Sequence, residues 1–298
     1  MEPSAFARFA AIDWSGAVGP RQRGIAIALC GLGGEAPRLV RPGHVWSRAE
    51  ALAWMLEEMP GRTLVGLDLG PSLPFADRGA FFPGWARSPP DARGLWRLVE
   101  EICAEDPHLA ASSFVDHPDA ARHFRRHGGR VGDRFQPGRG RLRVTEEAQR
   151  AQGLNPYSNF NLVGAAQVGK SSLTGMRLLR RLDGKLPVWP FDFAPDRPFD
   201  PQVGKGSLVV EIYTSIAALR AGLPKGRTKV RDPATLDRAL AALGSAPHRP
   251  LASYNDHATD AIMSAAWLRL VHGEPALWAP PALTPVLART EGWTFGVR

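Results

Sequence analysis

The chain has little cysteine, little lysine and no long apolar run. Only two cysteines, Cys30 and Cys103, occur in 298 residues, and no Cys/His spacing typical of a zinc site is present, so we expect buried free thiols. An apolar run of about eighteen residues, the length of a membrane span, is missing, and residues 1–8 lack the features of a signal peptide. We therefore expect a cytoplasmic protein without a membrane partner.

Arginine carries almost all of the positive charge. The formal net charge is +8, and the arginines are densest between residues 122 and 150. Such a patch indicates a polyanion partner, although a merely solvated basic surface would have the same composition. Five basic residues are the predicted contacts with the phosphates of a nucleic acid: Lys170, Arg139, Arg141, Arg143 and Arg177.

Four acids lie where apolar runs end or where a helix is predicted to begin. Asp13 and Asp68 each close a four-residue apolar run, which is typical of a buried strand. The ends of neighbouring strands are about 4.8 Å apart, so two such carboxylates can share divalent cations. Asp256 and Asp260 lie one helical turn apart on one face, where like charges repel unless a cation lies between them. The four acids together predict a site for Mg²⁺ or Mn²⁺.

Each acid also has a simpler interpretation. Asp13 and Asp68 precede turn-forming residues, so either could end its strand as an Asx-type turn. Asp256 could cap the predicted helix by accepting the backbone amide of Thr259. If these roles account for the acids, the protein binds phosphate or nucleic acid without catalysing a reaction. Asp260 has no such role, because it lies inside the helix.

The apolar patterns predict a mixed α/β fold in one domain. Predicted strands cover residues 8–14, 24–32, 39–46, 62–68 and 208–213, with a last short strand at 293–297. Predicted helices cover residues 48–59, 92–104, 118–126, 173–182, 215–221, 232–243 and 256–271. The first three strands are expected to pair antiparallel, and the fourth returns through a helical crossover parallel to the first. Residues 5–73 and 207–298 form the predicted core, and residues 74–206 form a long basic insertion.

Several short motifs in this order resemble an uncharacterised family of predicted nucleases with the ribonuclease H-like, resolvase-type fold. They are Ile12-Asp13-Trp14-Ser15-Gly16, Gly66-Leu67-Asp68, the glycine-rich stretch from Phe160 to Met176, Glu211-Ile212-Tyr213, Asp256 with Asp260-Ala261, and Glu291-Gly292-Trp293. The resemblance implies a ribonuclease H-like mixed five-stranded sheet flanked by helices, with the basic insertion between the fourth and fifth strands. It also implies a nuclease activity.

A different function is suggested by residues 164–171. Gly164-Ala165-Ala166-Gln167-Val168-Gly169-Lys170-Ser171 matches the P-loop pattern of nucleotide triphosphatases. The apolar run before it is short and interrupted by asparagines, and no later apolar run ends in an aspartate. We therefore expect an anion-binding loop in preference to a nucleotide triphosphatase.

The hypothesis that combines these patterns is a metal-dependent nuclease. Asp13 bridges two metal ions, Asp68 and Asp260 hold one each, and Asp256 or Glu211 completes the set of catalytic carboxylates. His257, beside Asp256, is a candidate for proton transfer to the leaving group, and a solvent-exposed histidine at a helix start is the simpler alternative.

Overall fold

A computed structural model describes residues 5–164, 168–193, 199–200 and 206–298. These residues form a six-stranded mixed sheet with helices on both faces. The strands are β1 (Arg8–Asp13), β2 (Ala26–Gly31), β3 (Arg38–Leu39), β4 (Thr63–Asp68), β5 (Val188–Trp189) and β6 (Leu208–Glu211). The helices are α1 (Arg48–Ala53), α2 (Ala92–Ile102), α3 (Ser112–Asp116), α4 (Pro118–Ala121), α5 (Val144–Ala151), α6 (Val168–Leu182), α7 (Thr214–Arg220), α8 (Pro233–Ala242), α9 (Asp256–Val271), α10 (Pro275–Trp278) and α11 (Pro285–Thr290).

The sheet has the order β3-β2-β1-β4-β6-β5. Strand β2 runs antiparallel to β1 and β3, whereas β4 is parallel to β1 and the pairs β4–β6 and β5–β6 are also parallel. The chain reaches β4 through α1, which a π-helical turn at Trp54–Glu58 extends. The predicted antiparallel start and parallel return are therefore confirmed.

Side chains alternate across the sheet and build one apolar core on each face. On β1, Ala10 and Ile12 belong to the core shared with α1, α2 and α6, whereas Phe9 and Ala11 belong to the core shared with α7, α8 and α9. Helix α9 is buried along nearly its whole length and packs against β1 and β2. Because both faces are covered, the edge at which β1 and β4 end is where polar groups of the central strands can meet solvent.

The sheet differs from the predicted one at its edges. The third strand was predicted over residues 39–46 but ends at Leu39, because Arg41 and Gly43 have positive φ angles and Pro42 has no N–H for a ladder bond. The six strands include β5, a two-residue strand that the prediction of five strands missed. The predicted strand at residues 293–297 is reduced to a single bridge between Thr294 and Glu211.

Residues 74–206 contribute to the core of the fold. Helices α2 and α6 both come from this stretch and contact each other over one face of the sheet. Cys30 and Cys103 are free and buried, as expected from the sequence. In the described part of the chain no helix is long and apolar enough to cross a membrane.

Gly66, in the middle of β4, lies where a side chain would collide with its neighbours. A Cβ there would be 2.7 Å from Ile212 Cγ2 and 2.9 Å from Leu268 Cδ1. We expect Gly66→Ala to lower the free energy of unfolding by about 1–2 kcal/mol, because overpacking outweighs the entropic gain of alanine. Urea denaturation measures this, and Gly61→Ala is the control because nothing lies within 4 Å of its added Cβ. Equal stability of the two variants would contradict the packing described for β4.

Candidate functional site

Asp13 and Asp68 lie side by side at the carboxyl edge of the sheet. They are the last residues of β1 and β4, and the parallel register pairs them directly. Paired residues of neighbouring strands point to the same face of a sheet. The strand positions that the apolar runs predict therefore place the two carboxylates next to each other.

Asp260, in the helix α9 that packs against β1, adds a third carboxylate to this pair. It lies one turn into α9 and is 3% exposed. Burial raises the pKa of Asp260 to about 6, and the negative charges of Asp13 and Asp256 add to the effect, while Lys229 opposes it. The pKa of Asp68 lies well above its usual value because of burial and because of the charges of Asp13 and Asp260. Asp13, Asp68 and Asp260, hereafter the acid cluster, thus share one electrostatic environment.

Two basic side chains partly neutralise the acid cluster. Lys229 Nζ donates to Asp260 Oδ2 at 2.5 Å, and His257 Nδ1 lies 3.1 Å from Asp13 Oδ2. Burial disfavours the lysine ammonium, but Asp260, and more weakly Asp13 and Asp68, outweigh it and raise the pKa of Lys229. The hydrogen bond with Asp13 raises the pKa of His257 against its partial burial. Lys229 was not among the predicted site residues, since nothing in the local sequence shows that it contacts an acid 31 residues away.

Asp256 lies at the rim of the acid cluster. It is the first residue of α9, and both of its carboxylate oxygens are 3.1 Å from the guanidinium of Arg231. The cap of the helix is Asn255, whose side chain accepts from the amide of Ala258. The alternative that Asp256 caps through Thr259 is therefore wrong, because the amide of Thr259 donates to the carbonyl of Asn255.

Glu211 belongs to a separate buried network. Arg143 Nη1 and Nη2 donate to its two carboxylate oxygens at 2.9 and 2.5 Å, and Thr294 Oγ1 donates to Oε1. The same guanidinium binds Glu146, whose pKa burial raises to about 7 against the opposing charge of Arg143. With both oxygens held in this way, Glu211 has a structural role and the expectation that it completes the catalytic carboxylates is corrected.

Three of the five predicted phosphate contacts are buried structural arginines. Arg143 binds Glu211, Arg141 binds Asp77 and three backbone carbonyls, and Arg177 binds Glu100. Each is at most 3% exposed, so their guanidinium groups are turned toward protein carboxylates and the expected phosphate contact is corrected for them. The local sequence around these arginines is similar to that around exposed arginines, so only the folded structure shows which arginines are buried.

Arg139 and Lys170 remain accessible. Arg139 is exposed and donates to Asn155 Oδ1 at 2.6 Å. Lys170 lies in the first turn of α6, and its Nζ is 2.8 Å from His127 Nε2. Residues 165–167 of the predicted P-loop lie outside the described residues. Before them, Asn161 forms only an isolated bridge with Arg125 and is not a strand of the sheet, so the strand that leads into a P-loop is missing from the described residues.

A pocket opens beside Asp68. Its volume is about 180 Å³, and it lies between the ends of the central strands and the start of α6. Besides Asp68 and other acidic residues, aromatic and amide side chains line the pocket. They are Trp14, Gln149, Tyr157, Asn159 and Tyr213. Rings and amides of this kind can stack on and hydrogen-bond to a nucleobase.

Among the described residues, no three His, Cys, Asp or Glu side chains are arranged to hold a metal ion as they stand. In the acid cluster, Lys229 lies against an oxygen of Asp260 and His257 against an oxygen of Asp13. The donor atoms are nevertheless all carboxylate oxygens, the type that Mg²⁺ and Mn²⁺ prefer.

Comparisons of the chain with models of protein families, with curated proteins and with solved structures found no match.

The raised pKa of Asp68 predicts how stability depends on pH. The folded state binds this proton more tightly than the unfolded state, so stability falls as the pH rises above the ordinary value of 3.8. Asp68→Asn removes the buried charge and keeps an oxygen that can accept from Thr214 N–H. We expect the variant to be more stable than the parent at pH 8, by a margin that shrinks toward pH 4.

Urea denaturation at both pH values measures this margin. The exposed carboxyl Glu105 provides the control, because Glu105→Gln should change stability by less than about 0.5 kcal/mol. A loss of stability in Asp68→Asn at pH 8 would contradict the electrostatic account of the acid cluster.

Arg143 and Arg139 were both predicted to contact phosphates, but their alanine variants should differ in stability. Arg143→Ala leaves the buried carboxylates of Glu211 and Glu146 without their partner, so we expect a loss of about 3–5 kcal/mol in the free energy of unfolding. Arg139→Ala removes an exposed side chain and should change stability by less than about 0.5 kcal/mol. Thermal and urea unfolding measure both variants, and a stable Arg143→Ala protein would refute the structural role.

Proposed function

We propose that the protein is a metal-dependent nuclease with a ribonuclease H-like fold. The observation that carries the proposal is the in-register pairing of Asp13 with Asp68 at the ends of two parallel central strands, with Asp260 brought to them by α9. A cluster of carboxylates at this edge is suited to hold the divalent cations of phosphodiester hydrolysis.

The topology supports the ribonuclease H-like assignment. The sheet begins with an antiparallel hairpin, continues through a crossover helix to a strand parallel to the first, and receives a long helix against β1. This is the arrangement that the motif resemblance implies. Strand β5 and the helices from residues 74–206 are additions to that plan.

The charges of the acid cluster support a cation site. Three carboxylates face one ammonium group and one imidazole, and burial, together with the charges of the neighbouring acids, raises the pKa of Asp68 and Asp260. Asp13, Asp68 and Asp260 would hold Mg²⁺ or Mn²⁺, with Asp256 at the rim. Such a cation, when bound, activates water and stabilises the leaving oxygen of a phosphodiester.

The protein's own side chains supply positioning and proton transfer. Asp13 orients His257 through Nδ1, and none of the described residues is bonded to the other ring nitrogen. That nitrogen is suited to give a proton to the leaving oxygen, because the imidazole is nearly half exposed. Lys170 and Arg139 are basic groups that remain able to contact the phosphates of a nucleic acid.

Lys229 favours a second candidate function. Its ammonium group neutralises Asp260 within the acid cluster, as a metal ion would. A protein that keeps this ion pair would bind nucleic acid or phosphate without cleaving it. Binding of nucleic acid without cleavage, in the presence of each divalent metal tested, would identify this alternative.

Asp13→Asn separates the two functions. We expect millimolar Mn²⁺ to raise the melting temperature of the parent protein, since a ligand of the folded state stabilises it, and to raise that of Asp13→Asn much less. Labelled DNA and RNA oligonucleotides should be cleaved with Mn²⁺ by the parent and bound without cleavage by the variant. Glu105→Gln is the control and should behave as the parent in both assays. A parent melting curve that does not respond to Mn²⁺ or Mg²⁺ would refute the proposed metal site.

A further inference from the structure

A second pocket is lined in part by the loop that follows β1. Its volume is about 160 Å³. The wall is partly apolar, with Ala110, Ala111, Val115, Leu162 and Leu173, and Gly16 and Ala17 come from the loop. We call it the basic pocket because of its charged side chains, which are Arg48, Asp116, Arg126, His127, Arg130 and Lys170.

The basic pocket has more positive charge than the protein neutralises. Four permanent cations and one carboxylate line it, which leaves a net charge of +3 with His127 neutral. Asp116 is shared between Arg126, at 3.0 Å, and Arg130, at 3.6 Å. Arg48 is bound by backbone carbonyls of Ser15, Ala17 and His108, which satisfy its N–H groups without cancelling its charge.

Lys170 has no carboxylate partner among the described residues, and Arg126, although paired with Asp116, keeps one unpaired donor. Among the described residues, the ammonium group of Lys170 bonds to the ring of His127 and forms no ion pair with a carboxylate. The Nε of Arg126 is buried and has no hydrogen-bond acceptor among the described residues. Burial lowers the pKa of Arg48 to about 10, and the charge of Arg177 adds to this. A concave site with uncompensated cations and an unpaired donor is suited to an anion.

We propose that the basic pocket binds a terminal phosphomonoester of a nucleic-acid strand, an inference that rests on the proposed nuclease function. A phosphomonoester carries a charge of about −1.5 to −2 and three acceptor oxygens, whereas an internal phosphodiester carries about −1. The doubly charged group is the better match to a net charge of +3 and to several donors.

The location of the basic pocket connects it to the acid cluster. Gly16 lines the pocket and lies three residues after Asp13, so the two Cα atoms are at most about 11 Å apart. Neighbouring nucleotides of a duplex strand are about 3.4 Å apart along the helix axis, so a terminal phosphate in the pocket would place only the first few phosphodiesters within reach of the acid cluster. The nuclease should therefore cut close to a phosphorylated end.

Binding of oligonucleotides that differ only at their ends tests the inference. One sequence is prepared with a 5′-phosphate, with a 3′-phosphate and with hydroxyl groups at both ends, and dissociation constants are measured in EDTA. We expect one phosphorylated form to bind at least about tenfold more tightly than the hydroxyl form, as for a charge-assisted contact. Lys170→Ala and Arg130→Ala should remove most of that advantage. Lys185→Ala, an exposed lysine beyond the other end of α6, should retain it.

The outcomes separate this inference from the proposed function. Equal affinity for all three ends, together with Mn²⁺-dependent cleavage that Asp13→Asn abolishes, would overturn the terminal-phosphate site and leave the nuclease intact. An end preference that Lys170→Ala does not change would also overturn it. Inorganic phosphate and nucleoside monophosphates are titrated as the other sources of the same group. If these small molecules bind in a way that depends on Lys170 and oligonucleotides do not bind at all, the inference that the ligand is a nucleic-acid strand is overturned.

Discussion

The parallel register of β1 and β4 is the constraint on which the candidate site depends. It puts Asp13 beside Asp68 at the end of two strands that are buried on both faces. Gly66 in β4 permits the close approach of Ile212 and Leu268, and α9, packed against β1, carries Asp260 to the same edge. A shift of one residue in this register would turn Asp68 to the opposite face of the sheet. The core that covers both faces therefore also fixes the geometry of the acid cluster.

Charge balance divides the acids into two groups with different roles. Glu211 has a bidentate guanidinium partner in Arg143, which also binds Glu146, so its charge is compensated within the fold. The acid cluster is less well compensated, and burial together with mutual repulsion raises the pKa of Asp68 and Asp260. Carboxylates held close together against their own repulsion cost stability, which is typical of a functional site. Lys229 offsets part of that cost and is the group that a bound cation would have to displace.

Local sequence patterns predicted the central elements but not the long-range pairs. The apolar runs before Asp13 and Asp68 defined β1 and β4, and helix α9 was predicted with both ends as the structure has them. The third strand was predicted too long because Pro42 and Gly43 follow its first residues. The partner of Glu211 lies 68 residues away in sequence, and choices between such distant partners depend on packing of the whole chain. For the same reason, sequence alone did not separate buried arginines from exposed ones.

A crystal structure of the protein with bound Mn²⁺, analysed by anomalous scattering, tests the central claim most directly. The account predicts a manganese peak bonded to carboxylate oxygens of Asp13 and Asp68 at about 2.1 Å, with Lys229 moved away from Asp260. A structure at millimolar Mn²⁺ without a peak at the acid cluster, in which Lys229 still donates to Asp260, would contradict it. In that case the three carboxylates would form a structural ion-pair network, and the protein would bind its ligand without metal-dependent chemistry.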